Sequence, residues 1–273
     1  MKNINILLAF GFLFSIFSCQ DVVDVDLDTL PPKLVVEANI NWQKGTLGNV
    51  QRIKLSTTTS YFSTTFPAIL GATVQVRNSN SEIFNFTQVG TTGDYECTNF
   101  DPRLNAIYTL TIVHNGQTYE ATETLTSVAQ ITVINQNNQA GFNGRQIEIK
   151  TLYNDPPNIE NFYLFKFKYK DRVRPDYYVS DDGFYDGNPF FSITQKDDLK
   201  KNDVIEISHI GVSKPYYNYL SILLDIAGSA GGAPFQSPPG TVKGNVINKT
   251  NFSDFPLGYF SLSETDTRTY TVQ

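Results

Sequence analysis

Basic residues are in the minority. The 21 lysines and arginines are outweighed by 27 aspartates and glutamates, leaving a formal net charge of −6. No positive surplus exists to hold a phosphate backbone, which argues against nucleic acid as a partner. Cysteine and histidine are scarce as well, at two each. That is too few for a zinc finger or iron–sulfur ligation, and it leaves no paired-cysteine motif for haem attachment. His114 and His209 show no metal-ligand spacing, and HExxH is missing, as are the G-x-S-x-G elbow, the P-loop and the dinucleotide fingerprint. No cofactor is therefore expected, and no catalytic residue or enzymatic activity is indicated. A glycosidase carboxylate pair stays open, because such pairs are defined in space rather than by sequence.

Long apolar runs are also absent. The longest, residues 6–17, is interrupted only by Ser15. As a helix it would rise ~18 Å, short of the ~30 Å bilayer core. Preceded by Lys2, it reads as the apolar core of a secretory leader spanning residues 1–18. It ends at Ile16-Phe17-Ser18-Cys19, which resembles the bacterial lipobox, in which the cysteine is lipidated and becomes the mature N-terminus. Phe17 is larger than the usual residue there, so an ordinary cleaved leader is the alternative. Residues 19–32 then read as a lipidated acidic tether carrying Asp21, Asp24, Asp26 and Asp28 with no basic residue among them. A short acidic run after a lipidated cysteine resembles the export signal of surface lipoproteins in the Bacteroidetes; a solvated spacer is the plain reading. Asp28-Thr29-Leu30 resembles the O-glycosylation sequon of that phylum. With Cys19 lipidated, Cys97 has no disulfide partner and is expected as a small buried hydrophobe in a strand.

What is abundant is period-two alternation. At 40% hydrophobic and 18% charged, the chain can bury a core. Val36, Ala38 and Ile40 alternate with Glu37, Asn39 and Asn41, and comparable runs recur through residue 125. Asn115-Gly116 between two such runs is a strong hairpin signal, since both turn positions want φ > 0. About seven short strands predict a mainly β fold: an immunoglobulin-like or transthyretin-like β-sandwich over residues 33–127. A second β-rich domain over 128–273 with one packed helix at 214–227 is expected to follow. In it, Tyr163, Phe165, Phe167 and Tyr169 form an aromatic strand face opposite Lys166 and Lys168. Residues 136–141 read as a polar turn, 171–201 as loop-rich, and the C-terminus as two strands, 257–263 and 267–273. Tyr216, Tyr219, Leu220 and Leu223 recur at helical spacing after a Ser213 cap, with Gly228 closing the helix. The aspartates of 181–188 form an Asx-rich turn, or a calcium site through Asp181, Asp182, Asp186 and Asn188. The glycine- and proline-rich stretch 228–240 is a long loop with Phe235 at its centre. Phe235 either pins this loop to the body, since an exposed Phe costs solubility, or is offered to a partner; if a partner is met there, Phe235 and Tyr185 are the expected aromatic anchors.

The ordered set of short motifs is similar to an uncharacterised family of Bacteroidetes outer-membrane lipoproteins, typically encoded beside TonB-dependent receptors. The matching pieces are Cys19 with its acidic follow-on, Leu34-Val35-Val36-Glu37 and Ile53-Lys54-Leu55-Ser56. Gly71-Ala72-Thr73-Val74, Gly93-Asp94-Tyr95, Tyr108-Thr109-Leu110 and Gly116-Gln117-Thr118-Tyr119-Glu120-Ala121 continue them. Asn245-Val246-Ile247 and Leu257-Gly258-Tyr259-Phe260 close the set. The resemblance implies a lipid anchor in the outer membrane, exposure to the cell exterior and a receptor barrel as neighbour. It implies no chemistry. The expectation is thus a non-enzymatic surface lipoprotein accessory to a TonB-dependent receptor in capturing a ligand or nutrient. The alternatives are a freestanding adhesion or glycan-binding lipoprotein, and a hydrolase with an unrecognised carboxylate pair.

Overall fold

The computed structural model describes residues 31–60, 63–229 and 241–273. The leader, Cys19, the acidic run and Phe235 lie outside the described residues. The first half forms β1 (Leu34–Gln43), β2 (Gln51–Thr57), β3 (Thr73–Asn78), β4 (Ile83–Val89), β5 (Asp94–Cys97), β6 (Ile107–His114) and β7 (Gln117–Thr124). Alternation puts Val36, Ala38, Ile40, Ile53, Leu55 and Leu110 at zero exposure in one core. The β6–β7 turn has φ of 49° at Asn115 and 72° at Gly116, as the expected type I′ hairpin requires. Cys97 is buried in β5, and burial pushes its thiol pKa up, so it behaves as a small hydrophobe.

The second half forms β8 (Ile131–Ala140), β9 (Gln146–Asn154), β10 (Phe162–Tyr169), β11 (Asp176–Asp181), β12 (Pro189–Lys196), β13 (Val204–Val212), α1 (Lys214–Ser229), β14 (Ile247–Asn248) and β15 (Leu257–Thr271). Mainly β architecture with one helix among the described residues matches the expected fold class. Several local expectations are corrected. The polar stretch 136–140 is strand, with its turn moved on to 141–144, because Gln136 is held by the Tyr270 hydroxyl and by Gln273. Within 171–201, β11 and β12 appear. Tyr177, Tyr178 and Val179 pair along β10, and Pro189 sits at the first position of its strand, where a missing N–H is tolerated. Gly228 stays helical and does not take a positive φ.

The C-terminal pair of strands is in fact one fifteen-residue strand, β15. Its charged centre survives burial because each charge is partnered. Glu264 accepts from the Val128 amide at 3.0 Å and from Lys44 at 2.7 Å. Asp266 accepts from the Ile131 amide at 2.8 Å and pairs with Arg268.

A twelve-stranded sheet runs β11-β10-β13-β15-β1-β2-β5-β4-β3-β6-β7-β14, and a three-stranded sheet runs β12-β9-β8. The two halves meet where β15 pairs parallel to β1, from Val35 against Leu257 to Gln43 against Thr265. The buried clusters divide between Leu125 and Val128, near the boundary read from sequence. However, Val246, Phe260 and Leu262 return to complete the first core, and Pro32–Gln273 forms one compact unit.

Candidate functional site

The β15–β1 seam creates a surface that neither strand has alone. On one face, Val36, Ala38 and Ile40 of β1 and Phe260 and Leu262 of β15 feed the first core. The opposite face carries Asn39, Asn41 and Gln43 from β1 beside Ser261, Thr265 and Thr267 from β15. β13 adds Ser208 and Glu206, and β10 adds Lys166. These alternating residues make a polar floor.

Helix α1 forms the wall. Ser213 caps it: its Oγ accepts from the Tyr216 amide at 3.3 Å and its carbonyl from the Tyr217 amide at 2.8 Å. Tyr216 and Leu220 are buried against Phe162, Leu164, Ile210 and Val212. The same stripe then leaves the sheet: Leu223 is 38% exposed. Leu223 and Leu224 instead line a groove of about 700 Å³ over the polar floor. That is ordinary for a small-molecule pocket, although its polar floor is less so.

The floor is held in place by its own hydrogen bonds. Asn39 Oδ1 accepts from the Tyr216 hydroxyl at 2.9 Å and from Ser261 Oγ at 2.8 Å. Gln43 Oε1 accepts from the Thr267 amide at 3.1 Å and from Thr265 Oγ1 at 3.3 Å, while Thr267 Oγ1 donates to Ser208 at 3.0 Å. Burial pushes the Tyr216 phenol up to about 12, so it stays a neutral donor at physiological pH. Lys166 and Glu206 face the groove from adjoining strands, and neither has an ion-pair partner among the described residues.

Among the described residues, none of the sequence-predicted site residues lines this groove. Tyr185 is not an exposed anchor: it is 7% exposed and stacks on Phe190 at 3.7 Å. Its hydroxyl meets those of Tyr153 at 3.1 Å and Ser180 at 3.0 Å. The turn from Asp182 to Asp186 rotates Tyr185 inward and leaves its neighbour Phe184 fully in solvent.

The four-residue calcium set is likewise not brought together. Asp182 and Asp186 gather instead with Asp155, their carboxylate oxygens within 4.8 Å of one another. Asp181 turns to the Gly183 amide and the Tyr217 hydroxyl, and Asn188 donates to the Asp186 carbonyl. The three gathered carboxylates already accept from the protein. Asp155 takes the Tyr163 hydroxyl at 2.6 Å and the Gly187 amide at 3.1 Å. Asp182 takes the Asn161 amide at 2.7 Å, and Asp186 the Asn158 amide at 2.8 Å. Burial raises the Asp182 pKa, and the neighbouring Asp155 and Asp186 carboxylates push in the same direction. The cluster ties two loops together, and its geometry is explained by those bonds.

His209, which shows no metal-ligand spacing in the sequence, sits inside β13 with zero exposure, ringed by Tyr153, Tyr163 and Phe165 at centroid distances of 4.4 to 4.8 Å. It belongs to the core.

A family model matches residues 20–269 under the description Domain of unknown function (DUF4249). The chain belongs to that family. No curated protein matches it. Among solved structures it is similar to a cytokine receptor complex, at 7% identity over 68% of this chain and 86% of the other, with a TM-score of 0.27. A two-domain fibronectin type III segment of chicken tenascin matches at 12% identity over 66% and 90%, TM-score 0.22. A DUF4785 family protein from Legionella pneumophila matches at 7% over 65% and 52%, TM-score 0.25. Overlaps at this level carry no shared site.

Proposed function

We propose that this family member is a non-enzymatic lipoprotein of the outer-membrane surface that captures a ligand beside a TonB-dependent receptor barrel. The observation that carries the binding role is the groove of about 700 Å³ under α1, with a polar floor held in register by hydrogen bonds. Among the described residues Glu206 is the one carboxylate lining it, so these residues do not by themselves supply the carboxylate pair of a glycosidase. Support for the location comes from the leader that ends at Ser18-Cys19 and from the acidic run after it. The family model begins at residue 20, directly after Cys19, in agreement with a mature chain that starts there. The resemblance to receptor-linked lipoproteins supplies the partner.

On the second unit, the fully exposed Phe184 replaces Tyr185 as the aromatic that a barrel would meet. The test is crosslinking on intact membranes followed by purification, run in parallel with Cys19→Ala. The wild type is expected in the membrane fraction with a barrel bound, and the variant is expected to be released. A Cys19→Ala protein that stays membrane-bound overturns the anchor. A wild type recovered without any barrel favours the freestanding binder.

A further inference from the structure

The unpaired chemistry of the groove identifies a ligand class. The amide nitrogens of Asn39 and Gln43 and the ammonium of Lys166 are donors without protein acceptors among the described residues. The Glu206 carboxylate and the Asn41 amide oxygen are acceptors without donors. Donors and acceptors are thus interleaved over a surface a few residues wide. A hydroxyl group both donates and accepts, so a polyol satisfies such a mosaic where a carboxylate or an ammonium satisfies only half of it. The charges agree: among the described residues that line the groove, one lysine and one glutamate cancel, and every other side chain is uncharged. A strongly anionic or cationic ligand gains no net attraction.

The wall supplies the second half of the recognition. Leu220, Leu223 and Leu224 stand over the floor, and Tyr177 and Tyr216 flank it. A sugar ring carries C–H faces between its hydroxyl edges. Set edge-down on the floor, it would present those faces to the leucines and tyrosines, and desolvating both surfaces is favourable. The hydrogen bonds from Tyr216 and Ser261 to Asn39, and from Thr265 to Gln43, fix the floor before a ligand arrives, which lowers the ordering cost of binding.

We propose that the groove between α1 and the β13–β15–β1 face binds a neutral oligosaccharide. This rests on the groove being the capture site, and it adds the chemical class.

The test is titration calorimetry on the folded protein with cello-, malto-, manno- and xylo-oligosaccharides, beside a sulfated oligosaccharide and an uncharged tripeptide. At least one neutral oligosaccharide is expected to bind. Asn41→Ala and Leu223→Ala should each weaken it by about tenfold, the scale of one lost hydrogen bond or a truncated apolar contact. Both side chains are exposed, so an unchanged melt should accompany the loss. If the tripeptide or the sulfated sugar binds instead, and these substitutions weaken it, the groove stands as the capture site and the ligand class is wrong. If a neutral oligosaccharide binds with the same affinity to both variants, or if no probe binds, the groove itself is not the site and both readings fall.

Discussion

Two glycines show opposite reasons for being glycine. Gly116 has φ of 72° with nothing within 4 Å of where a Cβ would stand, so only its backbone conformation forbids a side chain. Gly211 has no positive φ, but a Cβ there would lie 1.9 Å from the Ser127 carbonyl oxygen. Gly116→Val should cost about 1–3 kcal/mol of strain and leave the fold intact. Gly211→Ala drives backbone against backbone at the junction of the two cores and should cost about 3 kcal/mol or more. Chemical denaturation ranks the two; a Gly211→Ala protein as stable as wild type would mean that the 127–128 segment can step aside. His209 adds a pH dependence. Burial pulls its pKa down from 6.5 to about 3, although the Ala129 backbone lies near enough to oppose this slightly. Below pH 6.5 the unfolded chain takes up a proton that the folded chain refuses, so stability falls as pH falls. The slope is at most about 1.4 kcal/mol per pH unit and ends near the folded pKa. Glu123 and Asp182, whose pKa values burial raises, act in the opposite sense. Both groups are present in wild type and in His209→Phe, so the difference between the two proteins isolates the histidine. Below pH 6.5, His209→Phe should lessen the fall of the melting temperature with falling pH relative to wild type, whatever its offset; an unchanged slope would assign the acid sensitivity elsewhere.

At the scale of elements, legibility followed the range of the interactions. β1 to β7, the Asn115-Gly116 turn and the Ser213 cap were readable because alternation, turn chemistry and capping act over a few residues. β15 was split in two because Glu264 and Asp266 look like turn residues locally. Their partners, the amides of Val128 and Ile131, are 136 and 135 residues away. The polar floor was hidden for the same reason. Asn39 and Asn41 were visible as the outward side of β1, but Asn39 meets Ser261 across 222 residues. A signal did exist: Ser261, Ser263, Thr265, Thr267 and Thr269 put small hydroxyls on one face of a strand over nine residues. Tyr185 and the acidic loop failed differently. Their composition was read correctly, but side-chain direction within a turn depends on which way the backbone bends. Here the bend is set by Asp155, a residue from another loop.

At the scale of the whole molecule, the distance from the anchor to the folded part is set by the length of the tether. A tether from residue 20 to residue 32 has 13 residues and extends at most ~43 Å at ~3.3 Å each. Its sequence carries four aspartates and no basic residue, a composition that disfavours contact with anionic lipid headgroups. On the proposed reading, a groove that captures ligand for a barrel has to stand clear of the membrane on the side the ligand comes from, and the acidic run is proposed to act as spacer and as the mark for export to the surface. Changing Asp21, Asp24, Asp26 and Asp28 together to Asn keeps length and size while removing the charge. The expected result is a protein that remains lipid-anchored and folded but is no longer digested by protease added to intact cells, because it stays on the inner side of the outer membrane. Digestion at the wild-type rate would leave the run as a spacer only. Loss from the membrane fraction would show instead that these residues are needed for lipidation at Cys19, and the surface-display role would then need a variant farther from the cysteine, such as Asp26 and Asp28 alone.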